Sequence, residues 1–437
     1  MTESQATFDA IVVGAGPAGA AAALALARAG RSVVMIERGP FPGSKNVYGG
    51  VIYGRILDEV IPRWWEQVPV QRWVVRRGTM ILTDTQALTV DFRSQAWGAP
   101  PYNGMTAYRA DFDRWLADKA VEAGAQLVNS TVVIGLLRDP AGRVIGVRTD
   151  RPEGDLRAHV VIACDGVNSL LAKQLGILPQ ADPTHHVLGV KEVLRLPREV
   201  IDERFGLTGD EGLDIEILGG TGGIAGGGFL HTNVDTVTLG VVLSLPELAT
   251  AKRRPESIIA DLKAHPAIAP YLRGATVEEY SAHLIPEGGY DAIPKLHHDG
   301  FLLAGDAAGM TLAAGIWLEG VNFAIGAGLA AGRAAARAIV AGDTSARGLA
   351  SYREELENSF VLADHRRLRH APALVLSHRL QRVYPSLIND FMESMFSVDN
   401  PTPKPGLAKL LLTVARRHGV RLWALVADML RAARVYR

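Results

Sequence analysis

Residues 11–19 read IVVGAGPAG, a branched apolar run followed by a turn rich in glycine. The apolar run predicts a short buried strand, and the alanine-rich segment from Ala18 to Arg28 predicts a helix. Gly30 then ends the helix, and the run from Val33 to Ile36 predicts a second strand. A strand, a helix and a strand with short connections begin a parallel sheet covered by helices, so we expect an α/β fold.

The three glycines of the turn have separate roles in a Rossmann-type dinucleotide site. Gly14 allows the tight turn, Gly16 lets the backbone approach a diphosphate, and Gly19 lets helix and strand pack closely. A glycine turn without a ligand is the plainer interpretation. The setting between a strand and a helix favours the ligand.

The residues that follow the turn complete this half of the predicted site. The helix beginning at Pro17 and Ala18 offers free N–H groups and partial positive charge to a diphosphate. Glu37 ends the second strand about 20 residues further on, and we expect its carboxylate to accept hydrogen bonds from ribose hydroxyls. Arg38, next in the chain, is expected beside the same cofactor.

Distant segments distinguish FAD from NAD, because the first strand–helix–strand unit binds the adenosine diphosphate half that both share. Gly305 and Asp306 follow a predicted strand, where a carboxylate can accept a hydrogen bond from a ribityl hydroxyl. Gly320, Val321 and Asn322 open a predicted helix, whose N-terminal amides would face the flavin's pyrimidine edge and stabilise negative charge there.

The sequence pattern predicts four regions over the whole chain. They are a first part of the FAD-binding domain (1–184), an inserted strand-rich substrate domain (185–284), a second part of the FAD-binding domain (285–345) and a helical C-terminal region (346–437). Within the first region, Tyr108 to Ala123 predicts a helix, and residues 139–142 predict a hairpin turn between two strands.

Composition limits the classes of protein that the chain can belong to. Its 437 residues, formal net charge of +0 and 48% hydrophobic content suit a large folded core and argue against a general nucleic-acid binder. Cys164 is the one cysteine, which excludes a disulfide framework and an iron–sulfur cluster held by this chain. The histidine spacings predict no metal site, and the lack of a basic leader predicts a cytoplasmic protein.

Together these segments resemble the glutathione-reductase-type flavoproteins of the aromatic-hydroxylase and geranylgeranyl-reductase group. Asp165 and Gly166 are similar to the group's Asp-Gly motif, and Arg109 to the group's arginine at the start of a helix beside the cofactor. The resemblance implies that these residues and Val133 contact FAD. The alternatives are a helix N-cap for Asp165 and a surface ion pair for Arg109.

A narrower resemblance rests on residues 43–50, which read GSKNVYGG, and on residues 305–325. Both are similar to the electron-transfer-flavoprotein:quinone oxidoreductase family, which includes the FixC (EtfC) proteins. The resemblance implies that Lys45, Asn46, Gly49 and Gly50 are near FAD. An exposed loop is the other interpretation of this segment.

The family implies a route for electrons and the partners along it. Electrons would arrive from an electron-transfer flavoprotein (FixA and FixB) and leave to a quinone, in some complexes as one branch of electron bifurcation. Eukaryotic members carry four cluster cysteines, and Cys164 is the only cysteine of this chain. The resemblance therefore implies a separate ferredoxin-like partner, FixX, that holds the iron–sulfur cluster.

Two further segments have both a functional and a structural interpretation. Seven glycines between Gly219 and Gly228 suit close approach to a flat quinone ring, or turns and bulges in a sheet. The mostly apolar segment from Met310 to Trp317 lines the same slot or belongs to the core.

The segment from Lys404 to Arg437 has eight basic residues against one acid, Asp428, with apolar residues near helical spacing. Such a helix suits an anionic membrane surface, an acidic partner or packing on its own domain.

Three rival functions share the FAD elements. An aromatic hydroxylase or a prenyl reductase would take hydride from NAD(P)H, and a non-catalytic subunit would use FAD as a structural group in a complex. The sequence identifies no general acid or base, since an electron-transfer site needs a fixed flavin and routes for electrons.

Overall fold

The computed structural model describes residues 7–44, 49–178, 182–315 and 317–437. The strands are β1 (Thr7–Val13), β2 (Val33–Ile36), β3 (Gly49–Ile52), β4 (Arg72–Leu82), β5 (Ala87–Arg93), β6 (Met105–Tyr108), β7 (Gln126–Val128), β8 (Val133–Arg138), β9 (Val144–Thr149), β10 (Leu156–Ala163), β11 (His186–Arg195), β12 (Glu211–Leu218), β13 (Gly226–Thr232), β14 (Thr236–Ser244), β15 (Thr276–Pro286), β16 (His297–His298), β17 (Phe301–Leu303), β18 (Leu312–Ala313) and β19 (Leu318–Glu319).

The helices lie between these strands and dominate the C-terminal region. They are α1 (Pro17–Arg28), α2 (Arg109–Glu122), α3 (Leu170–Gln174), α4 (Arg198–Phe205), α5 (Leu245–Ala251), α6 (Pro255–Ala264), α7 (Ala269–Leu272), α8 (Val321–Val340), α9 (Ser351–Glu357), α10 (Phe360–Arg367), α11 (Ala371–Val375), α12 (Tyr384–Phe396), α13 (Leu407–Arg417) and α14 (Leu422–Val435).

The first of two compact units contains the predicted parallel sheet. This unit comprises the residues up to Val70, Pro100–His186 and Leu284–Arg366. Its central strands follow the order β17-β10-β1-β2-β7, and every neighbouring pair among them is parallel. The central strands contain unbroken buried apolar runs, because both faces of the sheet are covered there: residues 10–13, 33–36, 160–163 and 301–303. The predicted α/β fold with a Rossmann-type parallel sheet is confirmed.

Helices α1 and α8 pack closely through small residues. A Cβ on Gly328 would lie 2.0 Å from the carbonyl oxygen of Ala18, and one on Gly332 would lie 2.4 Å from that of Ala22. Within the described residues, α8 is the one helix that is long and apolar enough to cross a membrane, and 78% of its most apolar stretch is buried inside the protein. It is therefore a core helix of this unit.

The second unit contains a mixed sheet and the C-terminal helices. It comprises Gln71–Ala99, Val187–His283 and Arg367–Arg437. Its strands follow the order β15-β11-β14-β13-β12-β4, and β5 pairs with β4. One face of the sheet packs its apolar side chains against α4, α6 and α7. In the C-terminal region, the Asn389 amide of α12 donates a hydrogen bond to the Ile81 carbonyl of β4 at 3.1 Å.

The second unit extends beyond the predicted insertion of residues 185–284. It also takes up residues 71–99 and the helical region after Arg367. The cause is the parallel pairing of β4 with β12, in which Arg77 is the partner of Asp214. Pairing between segments so far apart in the chain leaves no local sequence pattern.

Candidate cofactor site

Three segments selected from the sequence meet at one edge of the parallel sheet. Val13, Ala163 and Leu303 are neighbours in the strand register and end β1, β10 and β17. The glycine loop, residues 164–166 and residues 305–306 follow these three strand ends directly. The carboxyl edge of an open parallel sheet is where such folds bind their ligands, so the convergence creates a candidate site.

The three glycines of the loop are required for different reasons. Gly14 has a φ of +94°, and a Cβ there would lie 2.4 Å from the Cys164 carbonyl oxygen. A Cβ on Gly19 would lie 1.9 Å from the Gly14 carbonyl oxygen. For a Cβ on Gly16, by contrast, the nearest described atom beyond the chain neighbours is Asp113 Oδ2, at 4.0 Å. Packing explains Gly14 and Gly19, whereas the open space at Gly16 suits the close approach of a diphosphate.

The start of α1 is open to an anion. Gly16 is the N-cap, and among the described residues no side chain caps this end of the helix. The first turn, which begins with Pro17, holds no acidic residue. Gly305 lies against this turn, because a Cβ on it would be 2.8 Å from the Cβ of Ala18. The uncapped N–H groups and the helix dipole therefore favour negative charge between the glycine loop and the turn at Gly305.

Glu37 holds the glycine loop in place. Its Oε2 accepts a hydrogen bond from the Ala15 N–H at 3.0 Å, and its Oε1 accepts one from the Gly39 N–H at 2.7 Å. The residue is 8% exposed. Each carboxylate oxygen has a second lone pair, so these bonds leave capacity for a ribose hydroxyl. Sequence reasoning gave Glu37 the ligand contact and missed its support of the loop.

Residues 131–133 lie beside Glu37, and Arg38 points to solvent. The Thr131 N–H donates a hydrogen bond to the Glu37 carbonyl oxygen at 3.0 Å, and Val133 begins β8 two residues later. The Arg38 side chain is exposed. The contacts of Val133 and Arg38 with the cofactor stay predictions.

Asp165 bonds the first turn of a helix, although the N-cap position that its structural interpretation gave it is occupied by Ser169. Its Oδ2 accepts a hydrogen bond from the Leu171 N–H of α3 at 3.1 Å. Its Oδ1 is buried and has no hydrogen-bond partner within the described ranges. Burial raises the pKa of this carboxyl. The orphaned oxygen, next to Gly166 at the sheet edge, suits a hydroxyl donor from a ligand.

Arg109 forms an ion pair, but the pair is not on the surface as the alternative interpretation expected. Its guanidinium donates to both carboxylate oxygens of Asp113, at 2.7 and 2.9 Å. The Asp113 side chain is fully buried and that of Arg109 is 12% exposed. Because Asp113 is also the residue nearest to the open side of Gly16, the pair lies beside the glycine loop.

The segment before Arg109 brings part of the GSKNVYGG motif to the same place. In β3, Gly49 and Gly50 are the register partners of Tyr108 and Ala107 in β6, immediately ahead of α2. A Cβ on Gly43 would lie 2.7 Å from the Arg109 carbonyl oxygen. Lys45 and Asn46 lie outside the described residues, so their proximity to FAD stays a prediction.

The second predicted helix start follows the Gly-Asp turn. Gly305, Asp306 and the next two residues form a short 3-10 turn after β17, and the Ser169 hydroxyl donates to the Ala307 carbonyl of that turn. Gly320 is the N-cap of α8, and among the described side chains none caps this end. Val321 and Asn322 are buried in its first turn, with the Asn322 amide donating to Glu319.

The glycine-rich run of the second unit is explained by packing. A Cβ on Gly219 would lie 2.4 Å from the Leu82 carbonyl oxygen, and one on Gly226 would lie 1.9 Å from the Val242 carbonyl oxygen. Both residues also have positive φ angles. These contacts support turns and bulges in a sheet, not a slot for a flat ring. In the segment from Met310 to Trp317, Met310 and Ala314 are buried in the first unit, and residue 316 lies outside the described residues.

Sequence reasoning missed several polar residues. Asp113 lies four residues after Arg109 in the predicted helix, and this spacing, which allows an ion pair between the two side chains, was the available signal. Ser169 has no such signal. Asp214 and Glu216 were also missed, because alternating acidic residues in a strand usually indicate a solvent-facing side.

Two models of known protein families match separate parts of the chain. A model described as an FAD binding domain matches residues 7–208. A model described as the ETF-QO/FixC family C-terminal domain matches residues 371–437.

Curated relatives match almost the whole chain. The probable electron transfer flavoprotein-quinone oxidoreductase YdiS of Escherichia coli (strain K12) is 41% identical over 416 residues, covering 94% of this chain and 96% of that protein. Protein FixC of Bradyrhizobium diazoefficiens is 39% identical over 435 residues, covering 98% and 99%.

Among solved structures, a geranylgeranyl bacteriochlorophyll reductase-like protein from Thermoplasma acidophilum matches with a TM-score of 0.72 and 19% identity, covering 98% of this chain and 99% of that chain. The myxobacterial halogenase CndH matches with a TM-score of 0.65 and 17% identity, covering 95% and 99%. These two similarities show a shared fold.

Proposed function

Since the chain belongs to the family of electron-transfer-flavoprotein:quinone oxidoreductases and FixC proteins, we propose that it takes electrons from an electron-transfer flavoprotein and passes them to a membrane quinone. The chain is an FAD-dependent oxidoreductase that takes part in electron transfer. The observation that supports this proposal is sequence identity of about 40% over nearly the full length to a relative named as a probable electron transfer flavoprotein-quinone oxidoreductase and to FixC proteins.

The residues at the sheet edge fit FAD. The open side of Gly16 and the uncapped start of α1 suit the diphosphate, and the orphaned Asp165 Oδ1 suits a hydroxyl donor. When bound, FAD would supply a group that stores two electrons and can release them one at a time. The chain's own part is to hold that group rigidly, through the Glu37 bonds and the Arg109–Asp113 pair.

The proposed partners follow from the family and from the cysteine content. We propose that the donor corresponds to FixA and FixB. The single cysteine, Cys164, cannot hold a cluster that needs several thiolates. A ferredoxin-like partner corresponding to FixX is therefore part of the proposal.

We also propose that the protein works in the cytoplasm, at the inner face of the membrane. Helix α14 supports this location, because five apolar side chains with exposures between 48% and 73% lie within one third of its circumference: Leu422, Trp423, Val426, Met429 and Leu430. Arg434 in the last turn of α14 and Arg437 two residues after its end are exposed. An apolar face with a basic border suits an anionic lipid surface.

Purification of the chain with its co-isolating partners tests the function. We expect reduced electron-transfer flavoprotein to bleach the flavin of this chain, and a quinone to restore its colour. Bleaching by NADPH without any partner would instead support a hydroxylase or a prenyl reductase. A flavin that never changes its redox state in the complex would support a structural subunit.

A further inference from the structure

Two carboxyl groups and one guanidinium lie together on one face of the second unit's sheet, with little exposure to solvent. Asp214 and Glu216 are two residues apart in β12, so their side chains project to the same face. Arg77 in β4 is the register partner of Asp214. Its guanidinium lies 2.6 Å from Glu216 Oε1 and 3.5 Å from Asp214 Oδ2. The carboxyl side chains are 9% and 17% exposed, so little solvent reaches them.

The neighbouring strands add a neutral imidazole and a separate ion pair. His231 in β13 is the register partner of Asp214, is 2% exposed, and has an Nε2 without a hydrogen-bond partner among the described residues. Burial, with the Lys191 charge, lowers the pKa of His231 to about 3, so its ring is neutral. Lys191 in β11 forms an ion pair with a different acid, since its Nζ lies 3.4 Å from Glu279 Oε1. Among the described residues, Arg77 is therefore the cation that acts on the two carboxyl groups.

One guanidinium cannot balance two buried carboxylates. Burial raises the pKa of Asp214 to about 6. Burial and repulsion from Asp214 raise the pKa of Glu216 to about 8. One retained proton makes the group of three electrically neutral, which is the arrangement that a poorly solvated site favours. Near neutral pH the two carboxyl groups therefore titrate as a pair that keeps one proton.

We propose that Asp214 and Glu216 hold one proton between them and deliver it to a quinone bound against this face of the second unit. This inference rests on the proposed function and deepens it. Reduction of a quinone to a quinol takes two electrons, which the electron-transfer flavoprotein supplies, and two protons. One new quinol O–H bond forms as a carboxyl O–H bond breaks, and Arg77 stabilises the carboxylate that remains. Solvent provides the second proton and reloads the pair.

His231 completes the site as a neutral hydrogen-bonding group. Its Nε2 lies on the same face as Asp214 and is free, within the described part of the chain, to bond a quinone oxygen. Phe229 supports the imidazole, since the two rings stack with centroids 5.9 Å apart.

The first test detects the proton without any catalysis. We would record the infrared band of protonated carboxyl groups in the purified holoprotein across the pH range and compare the wild type with Glu216→Gln and Asp214→Asn. We expect a band that disappears between about pH 6 and about pH 8 in the wild type and is lost or displaced in both variants. The matched control is Glu192→Gln, which removes a buried acid of the same sheet that pairs with Lys263 on the opposite face. It keeps the band. A wild type without such a band overturns the proposal.

The second test separates proton delivery from electron transfer. In Glu216→Gln we expect the partner flavoprotein to bleach the flavin at the wild-type rate, and quinone to reoxidise it roughly 10²-fold more slowly. Reoxidation by ferricenium, which takes up electrons and no proton, keeps its wild-type rate. A merely structural change would slow both acceptors, and an unchanged quinone rate in both variants refutes the inference. If the wild type itself reduces no quinone, the proposed function fails instead, and the infrared result stands separately.

Discussion

The Asp113 carboxylate lies 4.0 Å from the position that a Cβ on Gly16 would occupy, and it is the nearest described group beyond the chain neighbours of Gly16. The missing side chain at Gly16 therefore leaves room for a ligand and relieves no clash within the protein. In this respect Gly16 differs from Gly14 and Gly19, where an added Cβ would clash with a backbone carbonyl oxygen.

We predict that Gly16→Ala weakens FAD binding without destabilising the fold. The added methyl group would occupy the space through which a diphosphate reaches the backbone, so the dissociation constant should rise at least about tenfold, or ~1.4 kcal/mol. Flavin fluorescence titration measures the affinity. Thermal unfolding without added FAD should give nearly the wild-type melting temperature.

Gly328→Ala is the contrasting variant. Its Cβ would lie 2.0 Å from the Ala18 carbonyl oxygen, so α1 and α8 must separate at a cost of roughly 2 kcal/mol or more. We expect a lower melting temperature with or without FAD. Equal effects of the two substitutions on the melting temperature would contradict the separate roles assigned to these glycines.

Glu37→Gln should lower both stability and FAD affinity. A glutamine amide has one acceptor oxygen, so one of the two N–H groups now bonded to Glu37, on Ala15 or Gly39, loses its partner. An unsatisfied buried N–H costs about 1–3 kcal/mol. Chemical denaturation measures this change. Glu59→Gln is the control, because its ion pair with Arg333 is exposed and should change stability by less than about 1 kcal/mol.

Glu216 makes the folded state less stable as the pH rises. Its pKa increases from the ordinary 4.5 to about 8 on folding, so between these values the folded chain keeps a proton that the unfolded chain has lost. The free energy of unfolding therefore falls as the pH rises through this window, and Glu216→Gln removes that decrease. Denaturation at about pH 5 and about pH 9 should show the variant gaining roughly 2–4 kcal/mol relative to the wild type at the higher pH. Parallel pH profiles would show that Glu216 titrates normally.

The apolar face of α14 should bind anionic lipid. We predict that the double substitution Trp423→Glu and Met429→Glu abolishes flotation with anionic liposomes. Each change replaces an exposed apolar side chain of this face with a negatively charged one, which anionic lipid repels. Val340→Glu is the control, since Val340 is 73% exposed at the end of α8 in the first unit. Wild-type protein that stays in the soluble fraction would count against the membrane location.

Local patterns predicted the elements around the cofactor site well. The helix predicted from Ala18 to Arg28 is α1, and the strand predicted from Val33 to Ile36 is β2. Both follow from periodicity and from glycines at their ends, which are properties of neighbouring residues. The spatial meeting of residues 164–166 with residues 305–306 was reached through family resemblance, because nothing local indicates it.

Long-range pairing set the limit of prediction. The parallel contact of β4 with β12 gave the second unit a segment that no local pattern assigns to it, and it also brought Arg77 to Asp214 and Glu216. Alternating acids in a strand are typical of a solvent-facing side, whereas the side chains of these two acids are only 9% and 17% exposed. Gly226 was equally ambiguous, since a close approach to backbone and a close approach to a ligand both require glycine.

The order of the candidate cofactor site's segments along the chain affects when the site can form during translation. Its pieces come from residues near 14, 165, 305 and 320, and the strands of another unit are encoded between them. A ribosome must therefore translate most of the message before the last piece emerges. We therefore expect FAD to be acquired late in biosynthesis, and chains truncated before α8 to lack part of the site that would retain it.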